Sequence, residues 1–260
     1  RFDDLPSKGA VPEFRIPYSG HDYPDKSGGT VFALRKYDRA FHDGRGLASA
    51  YEQQDVTAQK ELTHVRRGIL RLRRAAVYQT PGWHGHCNGW TAAAIRHAEP
   101  QTSVTRNGVV FTPADIKGLL ADIYMYADSE FLGGIDEAVN PGVLHVTLSN
   151  WLGRGSHPVA MESTLGEVAF NYPIYAFSTS SAKRSERRVE VKMNAAYATS
   201  TNREFEQSPR NNRTMYFHYL LDLNEDGAIV GGQYFRDSNQ VDMLWAPLKP
   251  IQGGEKGNER

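Results

Sequence analysis

Hydrophobic and polar positions follow two different periods along this chain, and the change falls near Pro141. Before that point apolar residues recur at steps of three and four, which is the spacing of one face of a helix. After it, apolar and polar residues alternate singly in segments separated by turn-forming residues, as half-buried strands do. A helical half followed by a run of antiparallel strands predicts an α+β fold.

Two segments of the first half carry the helical pattern. Between Asp55 and Ala76 an apolar stripe faces a row of arginines, which predicts a core helix with a solvated basic face. The stripe consists of Leu62, Val65, Ile69, Leu72 and Ala76. A second helix is predicted from Thr112, because Thr112 can cap it, Pro113 suits its first position and Asp115 completes a capping box.

The strand pattern fills the second half. The predicted strands are GVLHVTLSN, HPVAMEST, EVAFNYPIYAF, RRVEVKMNA, TMYFHYLLDL and AIVGGQYF. We therefore expect one α+β domain over residues 47–250, with a helical part at 47–140 and a sheet at 141–250. Residues 1–46 are rich in glycine, proline and aspartate without periodicity and are predicted to form an extended arm, and residues 251–260 a flexible tail.

Charge and composition exclude several classes of partner. Lysine plus arginine equals aspartate plus glutamate at 30 each, so the overall charge does not favour nucleic acid. No apolar run approaches the roughly 18 residues of a membrane-spanning helix. The numbering begins at Arg1 without a charged-then-apolar leader, so we expect a processed or trimmed form of a secreted or cell-envelope protein.

The single cysteine, Cys87, stands in GWHGHCNGWTAAAIRHAEP. Pro81 and Gly82 interrupt whatever precedes it, and the following residues suit a helix, so Cys87 is expected at a helix N-terminus. The partial positive charge there favours a thiolate, and His84 or His86 would add to the effect if charged. A free cysteine also often only fills space in a core.

A metal site is a further alternative at this stretch. His84, His86 and Cys87 together offer two imidazoles and a thiolate to one ion. No second CxxC or HxxxH pattern in the chain supplies further ligands.

A cysteine nucleophile needs a general base, and His145 is the candidate because it follows the cysteine along the chain. On a strand it would share the less apolar face with Thr147 and Ser149, although it also fits an ordinary strand histidine. If the next strand forms a hairpin with this one, Glu162 lies opposite the histidine and would orient it. Asn171, one strand further on, is the competing orienting residue.

Three other residues are candidates for the walls of such a site. Trp83 and Trp90 could exclude water or donate an indole N–H to an oxyanion, or could simply pack the helix into the core. Gln79 is a weaker candidate for the oxyanion donor.

A calcium loop is suggested by DLNEDGAI, where Asp222, Asn224 and Asp226 alternate before a glycine. The twelfth position of the loop is Gln233, where an EF-hand has glutamate, and the flanks are predicted strands. A β-turn is therefore the competing interpretation. Calcium is a possible ligand here, and no cofactor is otherwise expected to be required.

Several of these segments resemble the transglutaminase elicitor family, which is known from oomycete cell-wall transglutaminases and occurs in bacteria. The matching stretches are WHGHCNGWTAAAI, NGVVFTPADIKGLL, NPGVLHVTLSNWLG, EVAFNYPIYAF and LDLNEDGAIVGGQYFRDSNQVDMLW. The resemblance implies a transglutaminase- and papain-like core that forms a thioester with a protein glutamine and passes the acyl group to lysine or another primary amine. It matches Cys87 to the family's nucleophile and His145 to the histidine of its NPG segment.

Two departures from the family pattern keep other functions open. Glu162 stands where the family tends to have aspartate, and FNYP, starting at Phe170, stands where it often has WNQP. The alternatives are a cysteine peptidase or amidase that uses the same site, and a non-catalytic surface or recognition protein of the same fold.

Overall fold

The protein is an α+β protein in which most helices precede most of the main sheet. The computed structural model describes residues 1–58, 60–67, 73–134, 138–166 and 168–250. The helices are α1 (Val31–Phe41), α2 (Leu47–Ala58), α3 (Cys87–Arg96), α4 (Pro113–Ile123) and α5 (Pro141–Leu148). The strands are β1 (Lys8–Ala10), β2 (Glu61–Arg67), β3 (Arg73–Gln79), β4 (Val104–Arg106), β5 (Val109–Phe111), β6 (Asp128–Gly133), β7 (Val159–Glu162), β8 (Asn171–Ser185), β9 (Arg188–Ala198), β10 (Asn212–Leu223), β11 (Ile229–Tyr234) and β12 (Met243–Lys249).

The main sheet runs in the order β11, β10, β9, β8, β7, β12 and β6, and β1 pairs with β8 off this path. The pairs are antiparallel. In the register of β7 and β8, Glu162 lies opposite Asn171, and on its other side Glu162 pairs with Met243 of β12. These pairings bring the ends of three strands together, which positions the candidate site.

Helix α3 packs closely on its neighbours because small residues face them. Ala92, Ala93 and Ala94 are buried, and the first two pack in a cluster with Ala160 of β7 and Trp245 of β12. A Cβ atom at Gly89 would lie 2.1 Å from the Ala121 carbonyl oxygen of α4, so only glycine permits this approach. The first turn of α3 is thereby held between α4 and the sheet.

The prediction for α4 is confirmed. Thr112 is its N-cap, its side chain and that of Asp115 form the reciprocal capping box, and a proline occupies the first turn. Of the predicted strands, HPVAMEST, EVAFNYPIYAF, RRVEVKMNA, TMYFHYLLDL and AIVGGQYF overlap β7 to β11.

The predicted strand GVLHVTLSN is wrong, because these residues belong to α5 and the π-helical turn Ser149–Arg154 that follows it. Asn140 caps α5 by accepting a hydrogen bond from the Gly142 amide at 2.8 Å, and Pro141 is the first helical residue. Leu144, Leu148 and Leu152, four residues apart, pack into the main core. Both the Asn-Pro start and the four-residue spacing were signals of a helix in the sequence.

The predicted helix from Asp55 to Ala76 is wrong beyond Ala58. Helix α2 ends at Ala58, and β2 and β3 then form an antiparallel hairpin that pairs Glu61 with Gln79. The hairpin agrees with the β-branched Thr63 and Val65. Two residues of the predicted stripe, Ile69 and Leu72, lie outside the described residues.

Part of the predicted N-terminal arm is regular structure. The segment contains β1, which pairs with β8, and α1, whose Ala33 and Leu34 are buried. The boundaries proposed for the domain stay predictions, and the predicted tail 251–260 lies outside the described residues. Among the described helices, none has the length and apolar character needed to cross a bilayer.

Candidate active site

Cys87 is the first residue of α3 and faces the start of β8. Its side chain is buried, with 7% of the residue exposed. The thiol donates to the Ala169 carbonyl oxygen at 3.6 Å, and the side-chain amide of Asn171 donates to the sulfur at 3.8 Å. The sulfur therefore lies between a helix N-terminus and a strand that begins 84 residues later.

The orientation of the Asn171 amide follows from its other partner. The indole nitrogen of Trp245 is 2.9 Å from Asn171 Oδ1, and an indole N–H can only donate. The oxygen of the amide therefore faces Trp245, which leaves Nδ2 to face the sulfur of Cys87. The Asn171 backbone carbonyl also accepts from the Thr91 hydroxyl at 2.9 Å, so the strand is tied to α3 beside the site.

A cavity of about 510 Å³ opens beside the thiol. Aromatic rings form much of its lining, namely Trp83, Tyr124, Tyr126, Phe131 and Trp245. Three carboxylates, those of Asp25, Asp55 and Glu162, also line it, together with His84 and His86. The cavity thus combines apolar walls with groups that attract a cation.

Burial dominates the electrostatics of the thiol. It raises the pKa of Cys87, and the backbone amides of Asn171 and Asn88, which favour the thiolate, offset this only in part. The expected stabilisation of the thiolate by the helix N-terminus is therefore outweighed by desolvation. The thiol is protonated at neutral pH and needs a base before it can attack.

Burial shifts the pKa of two cavity carboxylates in the same direction. Burial raises the pKa of Asp25, and it raises the pKa of Glu162 together with the neighbouring charge of Asp242. A bound cation would lower both values again, since an opposite charge favours the ionised form.

His84 and His86 flank the site at the turn before α3. The His84 ring lies edge-on to Trp83, with 4.2 Å between the ring centroids, and borders the cavity. The backbone of His86 is fixed at both of its polar groups, since its N–H donates to the Asp22 carbonyl at 2.7 Å and its carbonyl accepts from the Trp90 amide at 3.0 Å. His86 is the N-cap residue of α3, and only 2% of it is exposed.

His145 lies elsewhere, which corrects the arrangement expected from the sequence. It is on α5, its Nδ1 is 2.8 Å from the Tyr219 hydroxyl on β10, and its ring stacks on Phe2 at a centroid distance of 5.4 Å. Burial lowers the pKa of His145 to about 4. The residue is not among those that line the cavity beside Cys87, because the hairpin that would have brought it to Glu162 is a helix.

Some of the other residues predicted for the site line the cavity, and the rest lie in the surrounding structure. Glu162, Asn171 and Trp83 line the cavity, and of these Asn171 contacts the sulfur. Trp90 is 1% exposed and donates its indole N–H to Asp22 at 2.9 Å, so it belongs to the core. Gln79 ends β3 with an exposed side chain and is not among the lining residues.

Trp245 is one of the site residues that sequence reasoning missed, together with Asp25 and Asp55. Nothing local in the sequence distinguishes the Trp245 indole from that of any other buried tryptophan. Its pairing with Asn171 depends on the neighbouring positions of β12, β7 and β8 in the sheet.

The suspected calcium loop has the contacts of a β-turn between β10 and β11. Asn224 Oδ1 accepts from the backbone amides of Asp226 at 3.0 Å and Ala228 at 2.8 Å. Asp222 accepts from Arg188 Nε at 3.0 Å. These oxygens are already engaged with donors of the chain, and calcium binding there stays an untested prediction.

Two comparisons with known proteins bear on this site. Residues 41–135 match the sequence profile of the family described as transglutaminase elicitor. The resemblance to the transglutaminase elicitor family is confirmed. The segment that matches the elicitor profile contains Cys87 and the cavity wall from Tyr124 to Phe131, whereas Asn171 and Trp245 lie beyond it.

The fold agrees with that of a solved structure. The crystal structure of the GP42 transglutaminase from Phytophthora sojae superposes with a TM-score of 0.77 and covers 96% of this chain and 87% of its own. The two sequences are 22% identical, so the likeness shows a common fold. A search of curated proteins found no significant match.

Proposed function

We propose that the protein is a cysteine acyltransferase of the transglutaminase type, in which Cys87 forms a thioester with a protein glutamine and passes the acyl group to an amine. The main support is the contact of the Cys87 sulfur with the Asn171 amide, whose orientation Trp245 fixes. A carbonyl carbon bonded to this sulfur would carry its oxygen close to Asn171 Nδ2. Donors preorganised for such an oxyanion are a large part of acyl-transfer catalysis.

His84 is the base in this proposal because it lines the same cavity as the thiol, whereas His86, the other histidine of the lining, is only 2% exposed. It accepts the thiol proton as the sulfur attacks the glutamine carboxamide, and the imidazolium returns that proton to the leaving nitrogen. The carbon–nitrogen bond breaks, ammonia leaves, and the sulfur–carbon bond of the thioester remains. His145 keeps the role of base only as an untested prediction, since it is not among the lining residues of this cavity.

The second half of the reaction uses the carboxylates of the cavity. Asp25, Asp55 and Glu162 attract the ammonium group of a lysine side chain. The amine loses a proton to His84 and attacks the thioester, the new carbon–nitrogen bond forms, and the sulfur leaves and regains a proton. The aromatic walls limit the access of water, which favours transfer to an amine over hydrolysis. The partners are then proteins outside the cell or in its envelope, and the chemistry uses no cofactor.

Incorporation of a fluorescent primary amine into a glutamine-rich protein tests the proposal. The wild-type protein should label the acceptor and release ammonia in equal amount, and Cys87→Ala should do neither. Equal labelling by the two proteins rejects the proposal. Ammonia release by the wild type without labelling, in excess amine, indicates an amidase or peptidase instead.

A non-catalytic protein of the same fold is the second candidate, and the raised pKa of the Cys87 thiol favours it. The rate of iodoacetamide labelling at neutral pH separates the two. Labelling of Cys87 no faster than that of a model thiol, together with no amine incorporation, supports the non-catalytic function.

Calcium at the turn of Asp222, Asn224 and Asp226 remains a proposal of its own. Calorimetric titration should give a heat of binding at millimolar calcium that Asp226→Asn removes. A titration of the wild type without heat of binding rejects it.

A further inference from the structure

Three buried ligand groups meet next to the start of α3. They are the carboxylate of Glu52 on α2, the imidazole of His86 at the N-cap of α3, and the carboxylate of Asp122 in the last turn of α4, and one ligand atom from each lies within 4.8 Å of the others. Their residues are 0%, 2% and 1% exposed. Among the described residues, this is the cluster with the composition and spacing to hold a metal ion.

Polar atoms of this cluster are buried without a hydrogen-bond partner in the described chain. They are both ring nitrogens of His86 and Oε2 of Glu52. His86 Nε2 lies 3.5 Å from Glu52 Oε1, which is within ion-pair distance but makes no hydrogen bond, and that oxygen accepts from the Thr30 amide at 3.0 Å. Buried polar atoms are nearly always paired in native proteins, so these atoms indicate a ligand that the chain itself does not supply.

The surroundings hold the ligand groups in place. Thr30 contacts both carboxylates, since its amide donates to Glu52 Oε1 and its hydroxyl donates to Asp122 Oδ1 at 3.2 Å. A Cβ atom at Gly29 would lie 2.2 Å from Glu52 Oε1, so the backbone closes tightly over this side chain. Carboxylates that bind a metal ion are usually oriented by hydrogen bonds of this kind.

The donor set selects the class of ion. Imidazole suits zinc and other first-row transition ions, carboxylates suit manganese and zinc, and two carboxylates balance a charge of +2. Calcium prefers six to eight oxygen ligands, which one imidazole and two carboxylates at a buried position do not provide.

We propose that Glu52, His86 and Asp122 bind one divalent first-row transition ion, Zn²⁺ or Mn²⁺. The ion joins α2, α3 and α4 at one point. Because His86 directly precedes Cys87, the ion also holds the first residue of α3 in position. We assign the ion a structural role, and the acyl transfer proposed above uses none of its three ligands.

Metal content and thermal unfolding test the site without an activity assay. The full chain, purified without metal-affinity resin, is stripped with chelator and dialysed separately against Zn²⁺, Mn²⁺, Ca²⁺ and Mg²⁺. We expect one Zn²⁺ or Mn²⁺ per chain and a melting temperature that rises with the concentration of that ion. No uptake of Zn²⁺ or Mn²⁺, or uptake of Ca²⁺ alone, overturns the proposal.

Substitutions then assign the ligands. Glu52→Gln and Asp122→Asn keep the side-chain shape and should weaken binding about 100-fold or more. Asp226→Asn at the exposed turn and Cys87→Ala beside the cluster are matched controls that should bind like the wild type. The proposal fails if Glu52→Gln and Asp122→Asn bind the ion as tightly as the wild type, or if a control loses the ion as fully as they do.

Cobalt substitution of the wild type keeps the test decisive if the variants do not fold. Co²⁺ in the proposed site should show visible d–d bands without thiolate-to-cobalt charge transfer. A charge-transfer band would make Cys87 a ligand and overturn the proposed ligand set.

Discussion

The surroundings of Cys87 and of His145 differ in what lies beside each buried side chain. Cys87 borders a cavity of about 510 Å³, whereas His145 lies in the main core between Phe2 and Tyr219. Burial favours the neutral form of both groups, raising the pKa of the thiol and lowering that of the imidazole. The order of a cysteine and a histidine along the chain therefore does not establish that the two side chains meet. Cys87 differs from His145 in that it borders a cavity that a substrate can enter.

The largest loss of activity should come from the substitution of Cys87. We expect Cys87→Ala to lower amine incorporation about 10⁴-fold or more, because no thioester can form. His145→Gln should keep the activity of its folded fraction within a few-fold. Initial rates, corrected for the folded fraction by circular dichroism, give the comparison. A loss of similar size in both variants would show that the two regions act as one site.

The general base gives the next largest effect. His84→Gln should lower the rate about 10²- to 10⁴-fold, which is the usual contribution of a general base. It should also remove the base's ionisation from the pH profile of kcat/KM. Should His145→Gln cause this loss and His84→Gln leave the profile intact, the assignment of the base would be reversed.

Asn171 should contribute less to the reaction rate than the general base does. Asn171→Ala removes the proposed oxyanion donor and should lower kcat about 10²- to 10³-fold with little change in KM. Trp245→Phe is the matched variant, because it leaves the amide in place without the indole that orients it, and its loss should be smaller. Unchanged kcat in Asn171→Ala would remove the oxyanion role.

The burial of His145 should make the free energy of unfolding depend on pH. Its pKa in the folded protein is about 4, below the ordinary 6.5, so the folded state favours the neutral ring. The resulting stability is fully present above about pH 6.5 and falls by about 3 kcal/mol as the pH drops to about 4. Urea unfolding across this range should show a steeper decline for the wild type than for His145→Gln. Parallel curves would contradict the lowered pKa.

Local signals explain which elements were predicted correctly. The capping box of α4 and the single alternation in β9 and β10 lie within a few residues of the structure they specify. The Asn-Pro start of α5 is equally local, but the alternation of Val143, His145 and Thr147 on the same stretch predicts a strand. On β2 and β3 a stripe with steps of three and four predicts a helix, whereas the β-branched residues of that stretch favour the observed hairpin.

The chain by itself determined the α+β class, the start of α3 at Cys87 and the resemblance to the elicitor family, because these depend on neighbouring residues. Only the tertiary structure decided which side chains surround the thiol. Asn171 is 84 residues from Cys87 and 74 from Trp245, and the three meet because β8, β7 and β12 are neighbours in the sheet and α3 packs against them. Glu52, His86 and Asp122 likewise meet because three helices converge. Contacts over such separations depend on how whole helices and strands pack together. The sequence pattern around any one residue does not reveal that packing.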